Sequence, residues 1–167
     1  MKKEILIRPA ESRDLLYLVD IYNYEVEHGT ATLDIEPQTP EQRHEWLIEH
    51  NVDNHPLIVA EINGRVVGYA CLSYYRKKQG YHSTVELSVY VDTAYRRQGI
   101  ASLLIERIIE IARNDPNIHA IISIITEGND ASASLHKKFG FERCGTVREA
   151  GYKFGRCFDI DQYELLV

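Results

Sequence analysis

The chain has 167 residues and a formal net charge of −6, with 26% charged and 44% hydrophobic residues. That length suits one domain, residues 1–167, with a core that needs no disulfide or metal staple; the acidic balance argues against a general nucleic-acid binder, whose footprint is a basic surplus. No segment approaches the ~18 apolar residues of a membrane-spanning helix, and the first apolar run is too short for a signal peptide, so none is expected.

A short strand is expected over residues 4–8, ended by Pro9. Glu11 or Ser12 can cap a helix starting near Arg13, along which Leu15, Leu18, Val19, Tyr22 and Val26 recur at helical spacing until Gly29. Residues 30–37 lack that periodicity and read as a loop, either a plain connection or one beside a ligand. Thr39-Pro40-Glu41 combines a cap, a proline at the first helical position and an acid in the first turn. That helix runs through Trp46 to about His50. Residues 56–62 and 65–75 read as strands joined by Asn63-Gly64, a strong hairpin signal. Gly68 marks a bulge or a close approach.

Residues 76–80 form a basic turn and 81–91 a strand. An amphipathic helix follows, with Ile100, Leu103, Leu104, Ile108 and Ile111 on one face. Residues 119–126 are nearly all apolar, as in a strand buried on both faces. A helix over about 131–139 is closed by Gly140. Residues 141–150 and 158–166 are two last strands. The pattern predicts an α+β domain with a mixed central sheet flanked by about four helices. Cys71, Cys144 and Cys157 are odd in number and lack metal-ligand spacing; they read as reduced core thiols of a reducing, cytoplasmic compartment.

The chain is organised around residues 85–101. Val85, Leu87, Val89 and Val91 alternate with Glu86, Ser88 and Tyr90, giving a strand with one apolar face. It feeds a turn with Arg96, Arg97, Gln98 and Gly99 at the start of the amphipathic helix. Free N–H groups of a first helical turn, aided by the helix dipole, bind phosphate, and a glycine lets an anion approach the backbone. Taken alone, the turn reads as an ordinary connection with two solvated arginines. The three-glycine dinucleotide pattern and the phosphate loop ending in Lys-Ser/Thr are both absent.

The arrangement Arg96-x-x-Gly99-x-Ala101 between strand and helix resembles the acyl-coenzyme A signature of the GNAT N-acetyltransferases, and the element order is similar to the GNAT fold. Asn129 before the last helix, Leu135-His136-x-x-x-Gly140-Phe141 and the final hairpin agree with it. Ile7-Arg8-Pro9-Ala10, Ile21-Tyr22-Asn23, Thr30-Ala31-Thr32, Glu36-Pro37, Thr84-Val85-Glu86, Ser88-Val89-Tyr90-Val91 and Lys153-Phe154-Gly155-Arg156 with Asp159 are similar to the phosphinothricin and methionine sulfoximine N-acetyltransferase branch. The likeness spans essentially the whole chain.

The resemblance implies acetyl-CoA as co-substrate, no metal, and direct transfer in a ternary complex to the α-amino group of a small amino-acid-like molecule. Glu86 would be the base, directly or through water. His136 would give a proton or hydrogen bond to the leaving thiolate, or act as a second base. Val89, Tyr90 and Val91 would line the pantetheine arm, with an oxyanion donor at the Val89 N–H or nearby on a strand that related folds splay with a bulge. Arg96, Arg97, Gln98, Gly99, Ile100, Ala101 and Ser102 would hold the pyrophosphate, and Asn129 would contact the pantetheine or phosphate region. Arg76, Lys77 and Lys78 would meet the substrate's acidic end, with Glu86, Leu87 and Ser88 beside them and Tyr75 and Tyr81 as walls. The branch commonly reads Glu-His-Ser where this chain has Glu86-Leu87-Ser88, which leaves the amino-acid substrate open. A homodimer is implied, with no nucleic-acid or membrane partner. Acetylation of a peptide, or a non-catalytic acyl-CoA sensor, are the competing expectations.

Overall fold

The computed structural model describes residues 4–167. The strands are β1 (Leu6–Pro9), β2 (Leu57–Ile62), β3 (Arg65–Tyr74), β4 (Thr84–Val91), β5 (Ala120–Thr126), β6 (Glu142–Lys153) and β7 (Arg156–Leu166); the helices are α1 (Leu15–His28), α2 (Pro40–Ile48), α3 (Ile100–Arg113) and α4 (Asp130–Lys138). One sheet runs β1-β2-β3-β4-β5-β7-β6. Only the β4–β5 pairing is parallel; the others are antiparallel. This is the mixed α+β architecture expected.

The helix starts follow their chemistry. Thr39 accepts from the Gln42 N–H while the Gln42 side chain returns to the Thr39 N–H, a reciprocal cap with Pro40 at the first position. Glu11 and Asp14 cap the short turn before α1 in the same way, and Arg8 clamps Asp14 and Glu61 together. Asn63 and Gly64 both take positive φ, as a two-residue hairpin requires.

Side-chain alternation splits the sheet into two faces. Ala70, Leu72, Val85 and Leu87 pack with Ile100, Leu104, Ile105 and Ile108 of α3. Tyr69, Cys71, Leu57 and Val59 pack with Leu18 and Ile21 of α1 and Leu47 of α2 on the other face. Tyr90 of β4 belongs to that second face. Both readings of Gly68 hold. Ala60 pairs with Gly68 and Glu61 with Val66, leaving Val67 as the extra residue. A Cβ on Gly68 would also lie 3.0 Å from the Tyr90 carbonyl oxygen.

Three expectations need correction. β4 starts at Thr84 because residues 79–81 close a single 3₁₀ turn. The buried stripe of α3 carries Ile105, Ile109 and Ala112 rather than Leu103, which is exposed. Cys71 is a buried thiol, but Cys144 and Cys157 are exposed on the final hairpin, because β6 and β7 bear fewer covering elements than the sheet centre.

Candidate active site

β4 and β5 pair only over Thr84↔Ala120, Val85↔Ile121 and Glu86↔Ile122. Beyond Glu86 they part. β4 continues to Val91 on β3 without any register shift, and β5 continues to Thr126 on β7. The splay therefore comes from divergence of two strands and not from the bulge in β4 that the resemblance implied. It opens a cavity of about 890 Å³ between them. Backbone polar groups left without a strand partner need another one, so the inner edge of β4 from Leu87 onward is a surface prepared for an extended ligand.

At the wide end of the cavity is the turn into α3. Arg97 and Gly99 have φ of 59° and 82°. No side chain caps the helix at Gly99, so the N–H groups of its first turn, residues 100–102, are left as the orphan donors of a helix start. An uncapped helix start beside a cavity suits an anionic oxygen cluster. Arg96, Arg97 and Ala101 line the cavity; Gln98, Gly99 and Ser102 do not, and Ile100 is buried in the core. The Arg96 guanidinium is already engaged: it pairs with the Glu25 carboxylate and donates to the Val91 carbonyl at 3.2 Å. Asn129 also lines the cavity, and its side chain accepts from the Ser132 N–H at 3.3 Å, so it caps α4 as well. An unpaired strand edge leading to a free helix N-terminus fits acyl-CoA, which is amide-bearing along its arm and anionic at its phosphates.

Glu86 lies where the two strands separate. It is half-buried, faces the cavity, and its carboxylate makes no hydrogen bond or ion pair with any described residue. Burial alone holds its carboxyl above the ordinary carboxylate range. Ser88 and Tyr90 follow it on the same side, and Leu87, Val89 and Val91 also reach the cavity.

His136 is buried at the cavity wall, with its ring edge-on to Phe141. Its Nδ1 lies 2.8 Å from the Ser132 carbonyl oxygen, which can only accept, so Nδ1 carries the hydrogen. Burial lowers the ring's pKa. In the neutral ring Nε2 is therefore a proton acceptor.

Arg76, Lys77 and Lys78 are exposed on the β3–β4 turn and do not line the cavity. Arg76 instead sits over the Tyr75 and Tyr81 rings, 5.2 and 5.7 Å from their centroids. The Glu86 end is walled by Tyr22 of the expected α1 stripe and by groups that motif spacing does not single out: Asp34, then Arg43 and Trp46 of α2, and Tyr69 and Ser73 of β3. A signal does exist. Arg43 shares the inward i, i+3, i+4 stripe of α2 with Trp46 and Leu47. A cation on the inward stripe of a short helix needs acceptors there.

The Acetyltransferase (GNAT) family pattern matches residues 18–141, from α1 to the end of the loop after α4. The chain belongs to the GNAT acetyltransferase family. It is an N-acetyltransferase with the fold of that family. A phosphinothricin N-acetyltransferase of Streptomyces coelicolor is 41% identical to it over 165 residues, covering 96% of this chain and 95% of the relative. An L-methionine sulfoximine/L-methionine sulfone acetyltransferase of Pseudomonas aeruginosa is 36% identical over 160 residues, covering 95% and 92%. A crystal structure of a phosphinothricin acetyltransferase from Sinorhizobium meliloti in complex with acetyl-CoA superposes on this acetyltransferase with a TM-score of 0.87 at 27% identity, covering 100% of this chain and 89% of the other.

Proposed function

We propose that this acetyltransferase moves an acetyl group from acetyl-CoA to the α-amino group of a small amino-acid-like molecule of the phosphinothricin and methionine sulfoximine class. The observation that carries this reading is Glu86: a desolvated carboxylate without a protein partner, facing the cavity at the point where β4 leaves β5. The names of the relatives support the substrate class.

Bound acetyl-CoA supplies the acetyl thioester. The chain's own groups do the rest. Glu86 takes the proton that the substrate ammonium must lose, directly or through water, and its raised pKa brings it nearer the operating pH than a solvated carboxylate. The N–H of Val89 or a neighbour on the unpaired edge of β4 donates to the carbonyl oxygen as it gains charge. His136, neutral with a free Nε2, serves as a second base. The transfer is direct, in a ternary complex: the amine nitrogen bonds to the acetyl carbon, the thioester C–S bond breaks, and coenzyme A leaves as its thiolate and takes up the proton that the new amide nitrogen sheds. Cys71 reaches the cavity, but burial pushes its thiol up to about 11, which removes it as a nucleophile at neutral pH. The backbone N–H groups of residues 97–102 hold the pyrophosphate, with Arg97 as the cavity-facing cation of that turn.

The enzyme acts as one domain, in the cytoplasm, as a homodimer. The twelve-residue β6 is the outer strand of the sheet, and its first nine residues are exposed, a long edge that monomers rarely leave open. The test is release of free thiol from acetyl-CoA against phosphinothricin, methionine sulfoximine, methionine sulfone, other amino acids and several peptides. Turnover of the small amino acids is expected. Turnover of peptides alone would move the function to protein acetylation, and tight acetyl-CoA binding without turnover would favour a sensor.

A further inference from the structure

Arg43 lines the cavity although it is only 3% exposed. Its guanidinium carbon lies 3.5 Å from the ring centroid of Trp46 and 4.2 Å from that of Tyr22. Nη2 donates to the Tyr69 hydroxyl at 2.6 Å and Nη1 to Gln38 Oε1 at 3.4 Å. Nε is buried and has no partner. A guanidinium has five N–H donors, so most of its capacity is unspent. Among the described residues no carboxylate forms an ion pair with it.

A buried cation without a counter-charge is costly, and aromatic faces offset only part of that cost. Buried donors in folded proteins find acceptors. Here the acceptor has to come from the cavity. A second buried polar atom on the same cavity, Ser123 Oγ, is also unpartnered. Arg43 and Glu86 bracket one stretch of wall: Tyr69, Cys71 and Ser73 alternate along one face of β3, Tyr69 holds Arg43, and Ser73 is the cross-strand partner of Glu86. The Cys71 thiol between them feels both charges, secondary to its burial. The cavity therefore presents a cation and a carboxylate within one wall, which is the inverse of an α-amino acid.

We propose that Arg43 determines specificity at the acceptor end: its guanidinium holds the substrate's carboxylate while Glu86 meets the amine. This rests on the amino-acid reading above and assigns the acid-binding role to a buried arginine of α2 instead of the exposed Arg76. A guanidinium matches a carboxylate through two parallel hydrogen bonds and stays ionised at every working pH.

The test compares L-methionine sulfone with its α-carboxamide, which keeps the amine and the neutral side chain and removes only the anion. Wild-type enzyme is expected to favour the carboxylate by about 100-fold in kcat/KM. Arg43→Gln should slow the carboxylate substrate alone and collapse that preference, Arg43→Lys should restore part of it, and Arg76→Ala should keep it. Equal slowing of both substrates in Arg43→Gln would make the residue structural and overturn the assignment. So would an absence of preference in the wild type, or its loss in Arg76→Ala. If the Arg43 variants do not fold, the wild-type and Arg76→Ala ratios decide: a preference kept in Arg76→Ala supports the cavity cation, and one lost there refutes it. Absence of turnover with every amino acid, while a peptide is acetylated, would refute the substrate class itself and the role of Arg43 with it.

Discussion

Arg96 and Glu25 form a salt bridge that ties the turn before α3 to the last half of α1, 71 residues earlier. The Glu25 carboxylate is buried, and its own backbone carbonyl accepts from the Lys153 ammonium at 3.1 Å. The signature arginine of the turn thus fastens the α3 end of the cavity to the last half of α1. Arg96→Ala would leave a buried carboxylate without its partner. A loss of about 2–3 kcal/mol is expected, seen as a fall in Tm of about 6 °C for a chain of this size, together with a raised KM for acetyl-CoA as the turn loosens.

Glu86→Gln should lower kcat by ~10²–10⁴ while acetyl-CoA binding is retained. In the wild type, kcat/KM should fall with decreasing pH through a pKa above the ordinary carboxylate range, and that limb should vanish in the variant. The stability sign is opposite. The folded carboxyl has the higher pKa, so between its unfolded and folded values the native state binds more protons and stability declines as pH rises. Glu86→Gln should therefore raise Tm at pH 7, and the gain should disappear at pH values below the unfolded carboxylate range. Thermal unfolding across pH checks it.

Gly99 has φ of 82° and open space where an added methyl group would sit, so Gly99→Ala carries backbone strain without a clash. The expected cost is about 1 kcal/mol. Its sharper effect should be on ligand binding, because relaxing the turn redirects the orphan N–H groups at the start of α3: KM for acetyl-CoA should rise several-fold with kcat at saturation little changed. Steady-state kinetics at varied acetyl-CoA measures this.

Gly68→Ala tests packing instead. The new Cβ would meet the Tyr90 carbonyl oxygen at 3.0 Å and the Ile100 and Leu104 side chains at 3.3 Å. Backbone oxygen in a paired strand cannot swing aside. A destabilisation of about 1–3 kcal/mol is expected, read as a lower urea midpoint with an unchanged slope.

The strands and helices are legible wherever local chemistry decides them. Thr39 with Pro40 fixes the start of α2, Asn63-Gly64 the β2–β3 hairpin, and the alternation from Val85 to Val91 puts Glu86, Ser88 and Tyr90 on one side. Residues 81–83 read as strand because the aromatic Tyr81 extends the strand pattern, while the 3₁₀ turn over residues 79–81 is closed by Tyr81 N–H to Lys78 carbonyl and His82 N–H to Gln79 carbonyl bonds. Cys144 and Cys157 depart from the expected core position because the hairpin that carries them lies at the sheet margin, although thiols are usually buried.

Periodicity and spacing by themselves determined the α+β class and the order of elements, because caps, hairpins and alternation are set by neighbours in the chain. Only the tertiary structure decided that β4 and β5 part after Glu86, that Arg96 is spent on Glu25, that Arg76 stays outside the cavity and that Arg43 is buried in its wall without a counter-charge. Each of these depends on which distant residues share a face and on how much water is removed around a charge, and no local pattern encodes either quantity.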